Sequence, residues 1–335
     1  MIKKFAFALL SSSVLFAACT KVDQTKESPV EEIPVSATAG RQCASDENLQ
    51  KQITADPARA AYLENLERKT ESYVGRGINS RGTTMLYVPV VVHIVLANPN
   101  QVSDDQIRSQ INVLNKDFNK TNSELSNTSV YLAGYSYSSV PNCQITYVVT
   151  NIVRKITSVS SFGTNDAVKK SSSGGSDAVE ATTKMNMWVC DLSSGYLGYA
   201  QFPGGAPLTD GIVIDYQAFG TLASYQMYPA FNLGRTATHE IGHWINLRHI
   251  WGDRRCGNDD VTDTPAHDAS NGGCPAVGLK SSCTGKPLEQ WMNYMDYTDD
   301  KCMYMFSGGQ KTRMDATIDL ARSAYFLASS PTSRL

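Results

Sequence analysis

The stretch HEIGHWINLRHIWGD, from His239 to Asp253, constrains this chain more than any other. His239 and His243 are four residues apart, so on a helix they lie one above the other on one face, with Glu240 beside them. Two imidazoles at that spacing make half a zinc site. His249 cannot complete it from the same helix: six further residues at about 1.5 Å each would carry it roughly 9 Å along the axis, whereas zinc–nitrogen bonds are about 2 Å. The chain must therefore leave the helix and turn back between His243 and His249. Such a turn needs a residue that accepts positive φ. Glycine does this most easily and asparagine next, because its short polar side chain is compatible with the left-handed region. Asn246 stands at that point, and the turn is predicted there. Two histidines around a glutamate can occur on any core helix, but the third at this offset points to a metal centre.

At 335 residues, 41% of them hydrophobic, the chain can bury one catalytic-size domain with a smaller appendage. A formal net charge of −2 leaves no basic footprint, so a nucleic-acid partner is not expected. The opening MIKKFAFALLSSSVLFAAC has Lys3 and Lys4, an apolar run and small residues before Cys19. It reads as a secretory signal, residues 1–18, too short for a transmembrane helix. LFAAC resembles a bacterial lipobox, in which Cys19 becomes the lipidated first residue of the mature chain. Residues 19–40 have little apolar content and no periodicity, as a flexible tether does. The expected location is the cell envelope, at the outer membrane or cell surface through an acylated Cys19, or the exterior after ordinary cleavage.

Export makes disulfides possible. Setting Cys19 aside leaves Cys43, Cys143, Cys190, Cys256, Cys274, Cys283 and Cys302, an odd number, so at least one thiol is unpaired. The last four cluster beyond the histidines in a Gly- and Asp-rich region, where three connectivities are open. Pairing Cys143 with Cys190 would leave Cys43 over.

Residues 41–77 are charged and helical in character. MLYVPVVVHIVLA follows as a β-branched strand. In SDDQIRSQINVLNKDFN, Ser103 can cap a helix with Gln106 three residues on, and Ile107, Ile111, Leu114 and Phe118 recur on one face. CQITYVVTNIVRK, MNMWVC and GIVIDYQAF read as strands, the first two separated by the loop KKSSSGGSDA. Strand, helix and further strands before the His239 helix give a mixed sheet backed by helices. His93 alternates with Val91 and Val95 and reads as a core histidine. His267, after DTP, reads as a surface residue. Trp188, Trp244 and Trp251 read as core anchors.

NYMDYTDDKCMYMF places Met295 and Tyr297 in a turn-like segment well beyond the histidines. The long zinc motif followed by a methionine turn resembles the metzincin clan. VPVVVHIV, DDQIRSQINVLNKDFN, GYAQFPGG, HEIGHWINLRHIWGD, DTP and NYMDYTDD resemble its pappalysin branch, especially bacterial members, across residues 41 to 320. The clan has glycine where this chain has Asn246. The resemblance implies an α+β, metzincin-like catalytic domain: a mixed twisted sheet with backing helices above an active-site helix, and an irregular, disulfide-stapled lower half. It implies His239, His243 and His249 as zinc ligands, Glu240 as general base, Met295 as a floor beneath the metal and Tyr297 as a transition-state donor. GYAQFPGG would offer a sheet edge on which an extended substrate lies. It further implies disulfides Cys256–Cys283 and Cys274–Cys302, and a calcium loop in GNDDVTDTP with Asp259, Asp260 and Asp263 as ligands. RQCASDENL resembles the family's latch, in which the Cys43 thiolate closes the open metal position, with Ala44 where the family has glycine.

The resulting expectation is a zinc endopeptidase of extracellular or surface proteins, monomeric and made as a latent zymogen. Residues 41–80 would be the propeptide, cleaved near Arg76 or Arg81, and residues 81–335 the catalytic domain. Its partners would be protein or peptide substrates, with the membrane engaged only through Cys19. The alternatives are a non-catalytic surface binding lipoprotein on the same fold and a zinc amidase. Asp46 and Glu47 are other groups by which the propeptide could close the site. Asp296, Asp299, Asp300 and Lys301 are candidates to line the pocket after the scissile bond, but their mixed charge selects no side chain.

Overall fold

The computed structural model describes residues 40–77, 84–126 and 134–335. The expected signal, Cys19, the tether up to residue 39 and Arg81 lie outside them. Among the described residues no helix is long and apolar enough to cross a membrane.

Strand β1 (Leu86–Leu96) is the axis of the fold, and its apolar run, interrupted only by His93, suits a parallel strand covered on both faces. Helix α3 (Asp104–Phe118) carries the chain to β2 (Ile145–Ile156), which pairs parallel to β1. The Ser103 hydroxyl caps α3 by accepting from the Gln106 N–H at 3.1 Å, as its position predicts. Strands β3 (Met185–Cys190), β4 (Gly198–Ala200) and β5 (Gly211–Asp215) complete a five-stranded sheet of order β2-β1-β3-β5-β4. Only β4 runs antiparallel, and it forms one edge, with β2 at the other.

One face of the sheet, with Val90, Val92, Met187 and Ile214, packs on Ile107, Leu114 and Phe118 of α3 and on Ile241 of α4 (Arg235–Trp244). The other face is covered by the segment read as a Ser/Gly loop. Val168 is buried there, and Lys169 pairs with Asp166 at 2.8 Å above the rings of Trp188 and Tyr199. His93 is the satisfied core histidine expected: its nitrogens meet Ser176 at 2.9 Å and Asn186 at 2.8 Å, and burial lowers its pKa to about 4. Two further helices, α1 (Ser45–Ala55) and α2 (Pro57–Gly75), precede the sheet, as the charged 41–77 segment predicts.

Below α4 the chain from 250 to 306 forms no helix beyond the short 3-10 turn Asp300–Cys302, before α5 (Gly308–Thr317) closes the fold. Disulfides Cys256–Cys283 and Cys274–Cys302 staple this half, in the connectivity the resemblance implies. The Cys143–Cys190 pairing does not form. Cys143 precedes β2 at the Leu86 end of β1, whereas Cys190 pairs with Val95 near its other end. Nine residues of strand at about 3.3 Å each separate those ends, far beyond the roughly 7 Å between Cα atoms that a disulfide tolerates. The two thiols also lie in core clusters on opposite faces of the sheet.

Candidate active site

Helix α4 is buried along its whole length and presents His239, Glu240 and His243 toward β4 and the lower half. It ends in a Schellman turn: the Asn246 N–H donates to the His243 carbonyl and the Leu247 N–H to the Gly242 carbonyl, both at 2.9 Å. Asn246 has φ 70°, the left-handed conformation predicted for it. The turn swings His249 back, leaving the Nε2 atoms of His239 and His249 at 3.2 and 3.1 Å from that of His243.

Each imidazole is fixed through its other nitrogen. Nδ1 donates to the Tyr294 carbonyl from His239 (2.7 Å), to the Leu247 carbonyl from His243 (2.8 Å) and to Asp253 from His249 (2.5 Å). That leaves three Nε2 lone pairs aimed at one point. Burial first, then the neighbouring imidazoles, hold His239 well below the ordinary histidine range and His243 at about 3, so both are neutral. Met295 packs beneath, so close to Gly242 that a Cβ there would lie 2.3 Å from its sulfur. A side chain at 242 would displace the floor.

Glu240 lies against β4, where a Cβ on Gly198 would come within 2.9 Å of its side chain. Burial pushes its carboxyl up to about 7, opposed by hydrogen bonds from Ser45 and Cys43. The Tyr297 ring packs edge-on against His249 and Trp251, and burial, then Cys43 and Glu240, raise its hydroxyl far above the usual range, so it stays a donor. Trp251, read as a core anchor, also stacks on His249 at 4.3 Å between ring centres.

The chain's own N-terminal segment fills this site. Cys43 offers its sulfur to the three histidines, one ligand atom from each of the four residues lying within 4.8 Å of the others. Around it the backbone joins the β4 edge through a single parallel bridge: the Ala44 N–H donates to the Gly198 carbonyl at 3.1 Å, and the Leu197 N–H to the Gln42 carbonyl at 2.9 Å. The Tyr297 hydroxyl reaches the backbone N–H and carbonyl of Cys43, both at 3.3 Å. The Arg41 guanidinium is buried in a pocket, paired with Asp300 at 2.6 Å, donating to Thr236 and lying over the Phe231 ring. Asp46 and Glu47 do not reach the histidines; Glu47 accepts from Tyr196 at 2.9 Å. Farther along, the Arg59 guanidinium holds the carbonyls of Phe202 and Pro203. Glu67 takes both terminal nitrogens of Arg313, whose Nε donates to the Asn246 carbonyl at 2.9 Å.

Asp259, Asp260 and Asp263 are not grouped around a common metal position among the described residues. Asp259 accepts from Thr264 and Val261, Asp260 pairs with Arg248 at 3.0 Å, and Asp263 takes the Ser307 hydroxyl and Gly309 N–H at the start of α5, where an anion suits the helix dipole. His267 is not on the surface: it is fully buried, accepting from the Gln290 N–H at 3.0 Å with Asp296 at 3.4 Å on its other side. Of the four residues proposed for the pocket after the scissile bond, Asp300 is the one that pairs with Arg41. Asp296 is buried beside His267, and Lys301 points outward with Asp299 at 3.9 Å. The sequence reading missed Ser45, Arg41, Thr236 and Asp253. Asp253 carries a legible signal, a carboxylate four residues after His249.

The family model described as pregnancy-associated plasma protein-A matches residues 171–319. An extracellular metalloprotease of Arthroderma benhamiae is 31% identical over 234 residues, 66% of this chain and 68% of that protein. Another from Verticillium alfalfae is 45% identical over 140 residues, 39% of this chain, so the chain spans about half (48%) of its length. Among solved structures, a promirolysin mutant from Tannerella forsythia superposes with a TM-score of 0.74 at 35% identity, covering 85% of this chain and 96% of that one.

Proposed function

The chain belongs to the pappalysin family of metalloproteases, within the metzincins, and on that premise we propose that residues 81–335 form a zinc endopeptidase kept latent by residues 41–80. The observation that carries this reading is the convergence of three imidazoles with a buried carboxylate beside them and a cysteine sulfur at the fourth corner. Three nitrogens and a thiolate suit zinc, whose tetrahedral donors sit about 3.3–3.6 Å apart, close to the Nε2 separations here.

Zinc, when bound, supplies the Lewis acid that polarises a scissile carbonyl and acidifies water. The chain's own groups do the rest. Glu240 takes the proton from the attacking water and passes it to the departing amide nitrogen. The Tyr297 hydroxyl, released from Cys43, donates to the oxygen that gains negative charge. The β4 edge, released from residues 42–44, pairs with an extended substrate backbone. The pocket of Asp300, Thr236 and Phe231, which takes Arg41 in the latent form, favours substrates with a basic side chain beside the scissile bond. Arg76, at the end of α2, is exposed and offers such a processing site.

The relatives' name, extracellular metalloprotease, supports export, and acylation of Cys19 would add a membrane tether. A peptide library incubated with the intact chain and with the chain freed of residues 41–80 tests the reading. Cleavage next to Arg or Lys, only after removal and abolished by a chelator, is the expected result. A processed chain that holds zinc but cleaves nothing would leave the binding-protein alternative standing.

A further inference from the structure

Cys43 is not alone in closing the site. Ser45, two residues on, is completely buried at the start of α1. Its hydroxyl donates to Glu240 Oε2 at 2.8 Å, shorter than the 3.3 Å contact of the Cys43 sulfur with the same oxygen. The same hydroxyl accepts from the Ala200 N–H of β4 at 2.8 Å. Both hydrogen bonds fall at distances of well-formed bonds, and neither involves the histidines.

We infer that Ser45 is a second blocking group, which ties up the general base and one hydrogen-bond donor of the substrate edge without drawing on the metal. This rests on the reading of residues 41–80 as a latency segment and deepens it. A carboxylate oxygen that receives the Ser45 hydroxyl is not available to a water, and an Ala200 N–H that donates to Ser45 is not available to a substrate carbonyl. The segment thus answers three demands of catalysis: Cys43 faces the metal position, Ser45 the base and the edge, and Arg41 the Asp300 pocket, with the Cys43 sulfur touching the Ser45 hydroxyl at 3.1 Å. A latch built only on sulfur would open whenever the thiol was oxidised or the metal lost. Ser45 is indifferent to both, since a hydroxyl is neither redox-active under those conditions nor a strong metal ligand at neutral pH.

The test uses the full precursor carrying Cys43→Ala, Ser45→Ala or both, with initial rates on a short Arg-containing peptide taken before any processing shows on a gel. Cys43→Ala is expected to stay at least about 10-fold below the processed enzyme. The double variant is expected to rise about 10- to 100-fold above Cys43→Ala, the factor a hydrogen bond to a charged group is worth. A double variant no faster than Cys43→Ala, or a Cys43→Ala precursor as fast as the processed enzyme, would overturn the inference. A second readout needs no turnover. In a Glu240→Gln background, which keeps an acceptor for Ser45 and prevents self-cleavage, Ser45→Ala should speed amide exchange at Ala200 about 10-fold or more while Cys43→Ala leaves it protected. If the processed enzyme cleaves nothing, the protease reading fails on its own, and Ala200 exchange still decides Ser45: unchanged protection in Ser45→Ala rejects it.

Discussion

The sheet half of the molecule and the half below α4 deliver their parts of the site by different means. The sheet half supplies His239, Glu240, His243 and the β4 edge from regular elements, held by backbone ladders and an apolar core on both faces of the sheet. The lower half supplies His249, Met295, Tyr297 and Asp300 from a chain with almost no regular structure. It is held by two disulfides and by buried polar side chains. Asn293 bonds Gln310 and Gln290, Asn271 bonds Glu289 and Asp296, and Asp296 in turn receives the Tyr297 N–H at 2.8 Å. Each half also orients the other, since His239 on α4 donates to the carbonyl of Tyr294 below it. Both layers thus contribute to the cluster: the sheet layer brings two imidazoles, the carboxylate and the edge, and the stapled layer brings the third imidazole, the tyrosine and Asp300.

That division predicts separable losses. Glu240→Ala should lower peptide hydrolysis by the productively processed enzyme about 10²–10⁴-fold, the scale of general-base catalysis, with metal content and unfolding midpoint near wild type. Loss of bound metal in this variant would place Glu240 among the structural supports and blur the comparison. Replacing Cys256 and Cys283 together by serine should cost about 2–5 kcal/mol of stability. Hydrogen exchange should show that loss as early opening of residues 250–306 with weakened metal retention, while β1 and β3 stay protected. Simultaneous opening of both halves would mean that they form one cooperative unit.

The same division explains what the sequence could reveal. β1, α3, β3 and β5 were legible because apolar periodicity reports burial when burial is apolar. The convergence of His239, His243 and His249 and the turn at Asn246 were legible because the geometry a metal would demand fixes spacing. His267 was misread because its burial is achieved by Asp296, Glu289 and the Gln290 backbone, which leave no hydrophobic pattern around it. The 169–178 loop was underestimated for a related reason: Lys169 covers the sheet with its stem while its ammonium meets Asp166 and the Thr209 carbonyl. The run of Asp259, Asp260 and Asp263 states only composition, and only the fold shows that the three carboxylates meet other groups. Ser45 gave no signal at all, since a serine two residues past a cysteine acquires meaning only when α1 is docked.

A pH series compares the halves with one chemistry. Burial pushes Asp215, at the end of β5, and Asp259, in the lower half, up to about 7 each. A carboxyl whose folded pKa is raised binds protons more tightly folded than unfolded. Its favourable contribution is therefore complete below the ordinary carboxyl range and is lost as pH rises toward about 7. Unfolding midpoints should fall between pH 5 and pH 8, and Asp215→Asn or Asp259→Asn should each flatten the fall by an amount on the order of 1–3 kcal/mol. A slope unchanged in Asp259→Asn would mean that the lower half opens before its carboxyl is felt.

Asn246 is the joint between the halves, and there the comparison is sharpest with the smallest change. Its φ of 70° ends α4, and its carbonyl, held by Arg313, starts the path to His249. Asn246→Gly keeps that conformation open and adds a little unfolded-state freedom, so stability should move by only a few tenths of a kcal/mol, with metal content unchanged. Asn246→Val sets a β-branched side chain in the left-handed region at about 1–3 kcal/mol. Because His239 and His243 lie before the joint and His249 after it, that strain should appear as weakened metal binding before it appears as lost helix. Titrating a chelator against both variants while following far-UV dichroism separates the outcomes. A valine variant that holds metal as tightly as wild type would show that the disulfide-stapled half, and not the turn at 246, carries His249 into place.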